Sequence, residues 1–294
     1  MMMRIALPRS QAGLSLVELM VGLTLGLVLM IGVLQVFLAS RQTYASNEAM
    51  ARLQENGRFA LEFIASNARQ SGYTDPRTRL ETGLSTDPIV GSTANGCTNQ
   101  KGLANVDVLA CSSDGGGSAT DSIGFAMQPP LVDGVRRDCL GNSVGTAADD
   151  DKVIINHFGI VVDPVTQEAS LGCHAWNVTD NGWNPGSGID FQPLIEGVDS
   201  LQVLYGIDDS SGTSRTPSRY VGADSVTDWT DVLAVRISVL ANSVNPVSPP
   251  PTNRNFVLLD AEPLAPVDFL GPDGNPDDRA RQIFSTTIHL KNAD

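Results

Sequence analysis

An apolar run from Leu14 to Ala39, broken by a single charge at Glu18, constrains this chain more than any other feature. Its 26 residues exceed the roughly 20 that an α-helix needs to cross a bilayer. The run is longer than the roughly 7–15 residues of a secretory signal core, and no A-x-A cleavage signal follows it. An acidic group at the centre of a membrane helix costs about 2.5–3.5 kcal/mol, so one that is retained marks a functional position. Arg4 and Arg9 precede the run and a long domain follows it, which places the N-terminus in the cytoplasm and the bulk of the chain in the periplasm or outside the cell.

Beyond the run, residues 40–71 keep a helical pattern of another kind. Met50, Leu53, Gly57, Ala60, Ile64 and Ala68 recur at three- and four-residue steps and form one apolar face. Glu48 and Arg52 have the spacing of a helical ion pair, and no proline intervenes before Pro76. Ser71-Gly72 is a suitable stop, so the pattern predicts one helix over 14–71, roughly 87 Å long at 1.5 Å per residue.

The rest reads as β structure. Val153–Val162 is apolar and β-branched. Leu201, Val203, Tyr205 and Ile207 share one face of a second strand, and Val235, Ile237 and Val239 alternate in a third over Val232–Leu240. Pro246 and Pro249-Pro250-Pro251 form an extended connector, and Phe284, Thr286, Ile288 and Leu290 alternate in a last strand. Residues 73–150, rich in Gly, Ser, Thr, Asn and Asp, read as long decorated loops with one or two short strands. The expected fold is α+β: a long helix on an antiparallel sheet, with one sheet face against the helix and the other partly wet.

Charge and cysteines narrow the setting. Residues 73–294 hold 13 basic against 29 acidic side chains, a net −16, which argues against a nucleic-acid partner. Cys97, Cys111, Cys139 and Cys173 contain no CxxC and suit two disulfides in an oxidising space. Of three connectivities, Cys97–Cys111 with Cys139–Cys173 closes the shortest loops. Zinc held with His157 or His174 is the rival, without paired ligand spacing to support it. Asp273, Asn275 and Asp277 present oxygens at alternate positions, a weak calcium candidate that lacks the offsets of an EF-hand. The histidines stand in no HExxH, Gly115-Gly116-Gly117 opens no phosphate-binding motif, and no cofactor is expected. Trp176 and Trp183 read as aromatics that hold a loop on the core.

Gly13 followed by Leu14-Ser15-Leu16-Val17-Glu18-Leu19-Met20-Val21 resembles the class III signal of type IV pilins and pseudopilins. The resemblance implies cleavage after Gly13 by a prepilin peptidase and N-methylation of Leu14. It further implies that Glu18, at the fifth mature position, meets the N-terminal amine of a neighbouring subunit during filament assembly. Leu14 stands where the family usually has Phe, and the run has Gly22, Gly26 and Gly32 rather than a kinking proline. Four further stretches are similar to the PilW family of minor pilins: Arg52 to Leu61 with Gly72-Tyr73, Leu204-Tyr205-Gly206, Val235-Arg236-Ile237 and Phe284-Ser285-Thr286-Thr287.

That resemblance implies a leader (1–13), a transmembrane and filament-core helix (14–39), an amphipathic continuation (40–72) and an acidic β-rich domain (73–294). It implies a non-enzymatic minor pilin that primes pilus assembly and joins the filament, at the tip with other minor pilins. The implied partners are major and minor pilins, the prepilin peptidase, the inner-membrane assembly platform and a tip adhesin. The protein would be a single-pass inner-membrane protein before assembly and lie on the cell surface after it. Two alternatives are a minor pseudopilin of a type II secretion system and a membrane-anchored periplasmic binding or adhesion protein, in which Glu18 only snorkels to the interface.

Overall fold

The computed structural model describes residues 15–76, 79, 88–93, 96–98, 111–149, 151–184, 190–208, 216–251, 254–265, 268–269 and 275–292. The chain divides into two units, Met1–Asn47 and Glu48–Asp294. Helix α1 (Leu16–Gln70, 55 residues) begins in the first and ends in the second.

In the first unit the apolar side chains from Leu16 to Leu38 stand exposed, and the helix is long and apolar enough to cross a membrane. Thr24 donates its hydroxyl to the Met20 carbonyl (3.1 Å) and Thr43 donates to Ala39 (2.9 Å), so these polar groups are satisfied within the helix.

In the second unit α1 buries Ala49, Leu53, Gly57, Ala60, Ile64, Ala65 and Ala68, the face expected from the spacing, except that Met50 is exposed. Small residues let the helix lie close to the sheets. A Cβ on Gly57 would come within 2.4 Å of the Phe284 ring. The helix stops where Gly72 takes φ +72°, the left-handed conformation glycine tolerates, and its N–H bonds to the Ala126 carbonyl at 2.8 Å.

Two antiparallel sheets complete this unit. The larger runs β2 (Gly96–Thr98), β1 (Ile89–Thr93), β3 (Ile123–Met127), β6 (Ile154–Val162), β7 (Ala169–Asn177) and β8 (Gly182–Trp183), with β9 (Gln192–Glu196) also on β7. The smaller runs β11 (Arg219–Val221), β10 (Val198–Ile207), β12 (Val232–Asn242) and β13 (Arg281–His289). A separate hairpin joins β4 (Val135–Arg137) to β5 (Ser143–Thr146). Both sheets meet α1 in one core, where Ile64, Phe125, Phe158, Leu201, Tyr205 and Ile237 are fully or almost fully buried. Burial of side chains this size contributes about 1.5–3 kcal/mol each.

Two expectations change here. Residues 73–150 hold β1 to β5 rather than one or two strands, because Gly and Ser at strand positions hide the alternation. In the smaller sheet the partly wet face survives at its outer strands β11 and β13; β10 and β12 are buried almost throughout. Their outer face is covered by the 115–121 loop, where Gln202 Nε2 donates to the Ala119 carbonyl (2.7 Å), and by Phe256, Leu258 and Leu264 packed on Leu240.

Candidate assembly segment and an acidic cleft

Glu18 lies in the first turn of α1, exposed, with apolar neighbours on every side of the helix. The positive end of the helix dipole favours a carboxylate there. Gly13 and Leu14 lie outside the described residues. Nothing comes within 4 Å of a Cβ built on Gly22, Gly26 or Gly32, so all three leave open strips on the helix surface.

Cys139 and Cys173 are disulfide-bonded, with Cα atoms 6.5 Å apart, and both are buried in the main core. Cys111 is disulfide-bonded as well, while the side chain of Cys97 lies outside the described residues. The bonded Cys173 places its neighbour His174 on the opposite sheet face, across from His157 in the β6–β7 register. There His157 Nδ1 and His174 Nε2 share a hydrogen bond of 2.7 Å, both rings buried and stacked beneath Phe191, with Trp183 on His174. Trp176 is buried beside Val90, Ala126 and Ile155 and meets the Trp183 ring edge-on.

Asp277 gives both carboxylate oxygens to Arg281, at 2.8 and 2.5 Å. Asn275 lies two residues before it in the chain, and Asp273 lies outside the described residues. Arg281 also donates its Nε to Asp199 (2.7 Å) and stacks on Phe269 with its guanidinium carbon 4.0 Å from the ring centre. Arg279 reaches Glu168 at 3.0 Å. Burial pushes the Asp199 carboxyl above its ordinary value in spite of Arg281. At Asp277 burial acts the same way, but the hydrogen bonds from Arg281 prevail and hold the carboxyl below its ordinary value. Asp199, Asp277, Arg279, Arg281 and Phe269 wall a cleft of about 460 Å³ that Ser200 and Asp268 also line, while Glu168 stands outside it. Sequence reasoning missed the ion-pair chain; the Asp277–Arg281 spacing of four was the visible signal, but Asp199 and Glu168 are remote in sequence.

A second buried carboxylate, Asp121, accepts hydrogen bonds from the N–H groups of Gly115 (3.0 Å) and Val203 (2.8 Å). Burial pushes its pKa up to about 6, and Asp114 and Asp260 add repulsion. No pattern around Thr120-Asp121-Ser122 announced it.

Comparison with known proteins gives two family matches. Residues 160–292 match the family described as Type IV Pilus-assembly protein W, and residues 8–34 match the prokaryotic N-terminal methylation motif. No curated protein matches the chain. Among solved structures, a type IV-like pilin from Thermus thermophilus aligns over 82% of this chain and 98% of its own, with 14% identity and a TM-score of 0.39. The methylation motif overlies Glu18 and the exposed apolar helix, and the assembly-protein domain runs from β6 through β13. The first match spans 133 of the 294 residues and the second 27, so the chain carries a pilus-assembly protein W type domain behind an N-terminal methylation motif.

Proposed function

We propose that this chain is a structural subunit that primes assembly of a type IV pilus and is built into the filament with other minor pilins at its tip. The observation that carries the reading is Glu18, held in the first turn of an otherwise apolar, exposed helix beneath the methylation motif. Among the described residues no cationic side chain stands within one helix turn of Glu18, and a lone charge is costly in lipid. A neighbouring subunit's N-terminal amine supplies the opposite charge in a medium where the attraction is strong. Cleavage after Gly13 and methylation of Leu14 would create the same amine on this chain. The apolar residues 19–39 would then pass from lipid into the filament's helix bundle, with the acidic domain outside and no turnover by this chain.

The test compares intact mass and N-terminal sequence of the membrane-fraction protein with and without the host's prepilin peptidase, for wild type and Glu18→Ala. The expected result is a mature chain starting at methylated Leu14 only when the peptidase is present, with Glu18→Ala processed, stable and absent from sheared filaments. A chain that keeps residues 1–13 in both strains sinks the reading. So does a Glu18→Ala protein recovered in filaments at the wild-type level.

A further inference from the structure

The cleft of the second unit has a charge imbalance and an unsatisfied group that point to the same ligand. Asp199, Asp268 and Asp277 line the cleft against Arg279 and Arg281, and Glu168, outside the lining, also draws on Arg279, so among the described residues carboxyl groups outnumber guanidinium groups there. Ser200, only 3% exposed, lines the cleft with a hydroxyl that has no hydrogen-bond partner among the described residues. Buried hydroxyls in native proteins are nearly always bonded, so an orphan beside a cavity indicates a missing partner.

We propose that this cleft receives a basic side chain, arginine or lysine, from a partner polypeptide. Its cation would lie toward Asp268 and the Asp199–Asp277 carboxylates, and one of its N–H groups would donate to Ser200 Oγ. Arg281 already shows that this wall accommodates a guanidinium, placed over the Phe269 ring and forked between two carboxylates. An anion would meet the excess negative charge. Among the described residues no three metal-ligating side chains converge, so the carboxylates are not arranged as a cation cage. A volume of about 460 Å³ holds one long side chain with its waters, and the net −16 of residues 73–294 steers basic surfaces toward it. The inference concerns the acidic unit and stands apart from the role of Glu18.

Saturation-transfer NMR on the full chain in detergent tests it, with acetyl-Gly-Arg-Gly-amide, its lysine analogue and its neutral citrulline analogue as probes. The arginine and lysine peptides should bind, with citrulline at least about tenfold weaker. Ser200→Ala, which removes a group with no partner and so leaves the fold intact, should weaken arginine binding about tenfold. Asp268→Asn should weaken it about threefold, and Asp133→Asn, an exposed turn residue outside the cleft, should not change it. Equal binding of the citrulline peptide, or wild-type affinity in Ser200→Ala, overturns the proposal. Binding of spermidine without binding of either basic peptide also overturns it, and would make the ligand a free polyamine.

Discussion

Asp121 carries a charge that its surroundings resist. Its carboxyl holds a proton up to about pH 6 in the folded chain, against an ordinary value of 3.8. The folded state therefore binds more protons than the unfolded state between about pH 4 and 6, and stability falls as pH rises through that window. Full ionisation costs about 3 kcal/mol. Asp199 shifts in the same direction, so the two slopes add. Asp121→Asn should shrink the loss of stability between pH 4 and 6, measured by urea unfolding at several pH values. A variant with the full wild-type slope would show that the carboxyl is not the cause. The uncharged amide presents an N–H₂ to one of the two backbone donors, so this variant is also expected to be less stable at pH 4.

Elements in this fold meet through small residues, and Gly57 is the clearest case. Alanine would raise helix propensity by about 1 kcal/mol, yet its Cβ would lie 2.4 Å from the Phe284 ring. Overpacking costs about 1–3 kcal/mol, so Gly57→Ala should lower stability on balance, while the same change in a Phe284→Leu background should raise it. Thermal unfolding of the four proteins gives the coupling, and a more stable Gly57→Ala single variant would refute the contact. The helix and the strands at β10, β12 and β13 were legible in the sequence because apolar residues repeat at 3.6 or 2 residues, and β6 because its run is apolar and β-branched. What stayed hidden follows from the same physics. β7 reads Ala-Ser-Leu-Gly-Cys-His-Ala-Trp-Asn, where Gly172 makes room for Phe191 and His174 pairs across the sheet, so neither position looks like strand core. Glu18 was legible because a charge stands out in an apolar run; Ser200 was not, because a serine betrays its missing partner only in three dimensions.

For the molecule as a whole, the division at Glu48 separates a helix with exposed apolar side chains from a unit that contains the entire core described above. The face from Ala49 to Ala68 that covers the sheets belongs to that second unit. A chain of residues 48–294 should therefore fold alone, soluble and cooperative, with a melting temperature within about 5 °C of the full protein. A non-cooperative melt would show that the first unit contributes to the core. One contact described above also sets an order of events. Phe284 rests on Gly57 and Asn292 donates to the Ser71 carbonyl at 2.8 Å, so residues more than 200 positions apart close the same sheet on the same helix. Contacts of such sequence separation form late, because the intervening chain must first be collected. During synthesis the apolar helix is available to the membrane long before its amphipathic half finds the last strand. Anchoring thus precedes folding, and a chain halted before residue 281 would be tethered to the bilayer with an unclosed sheet, open to quality-control proteases.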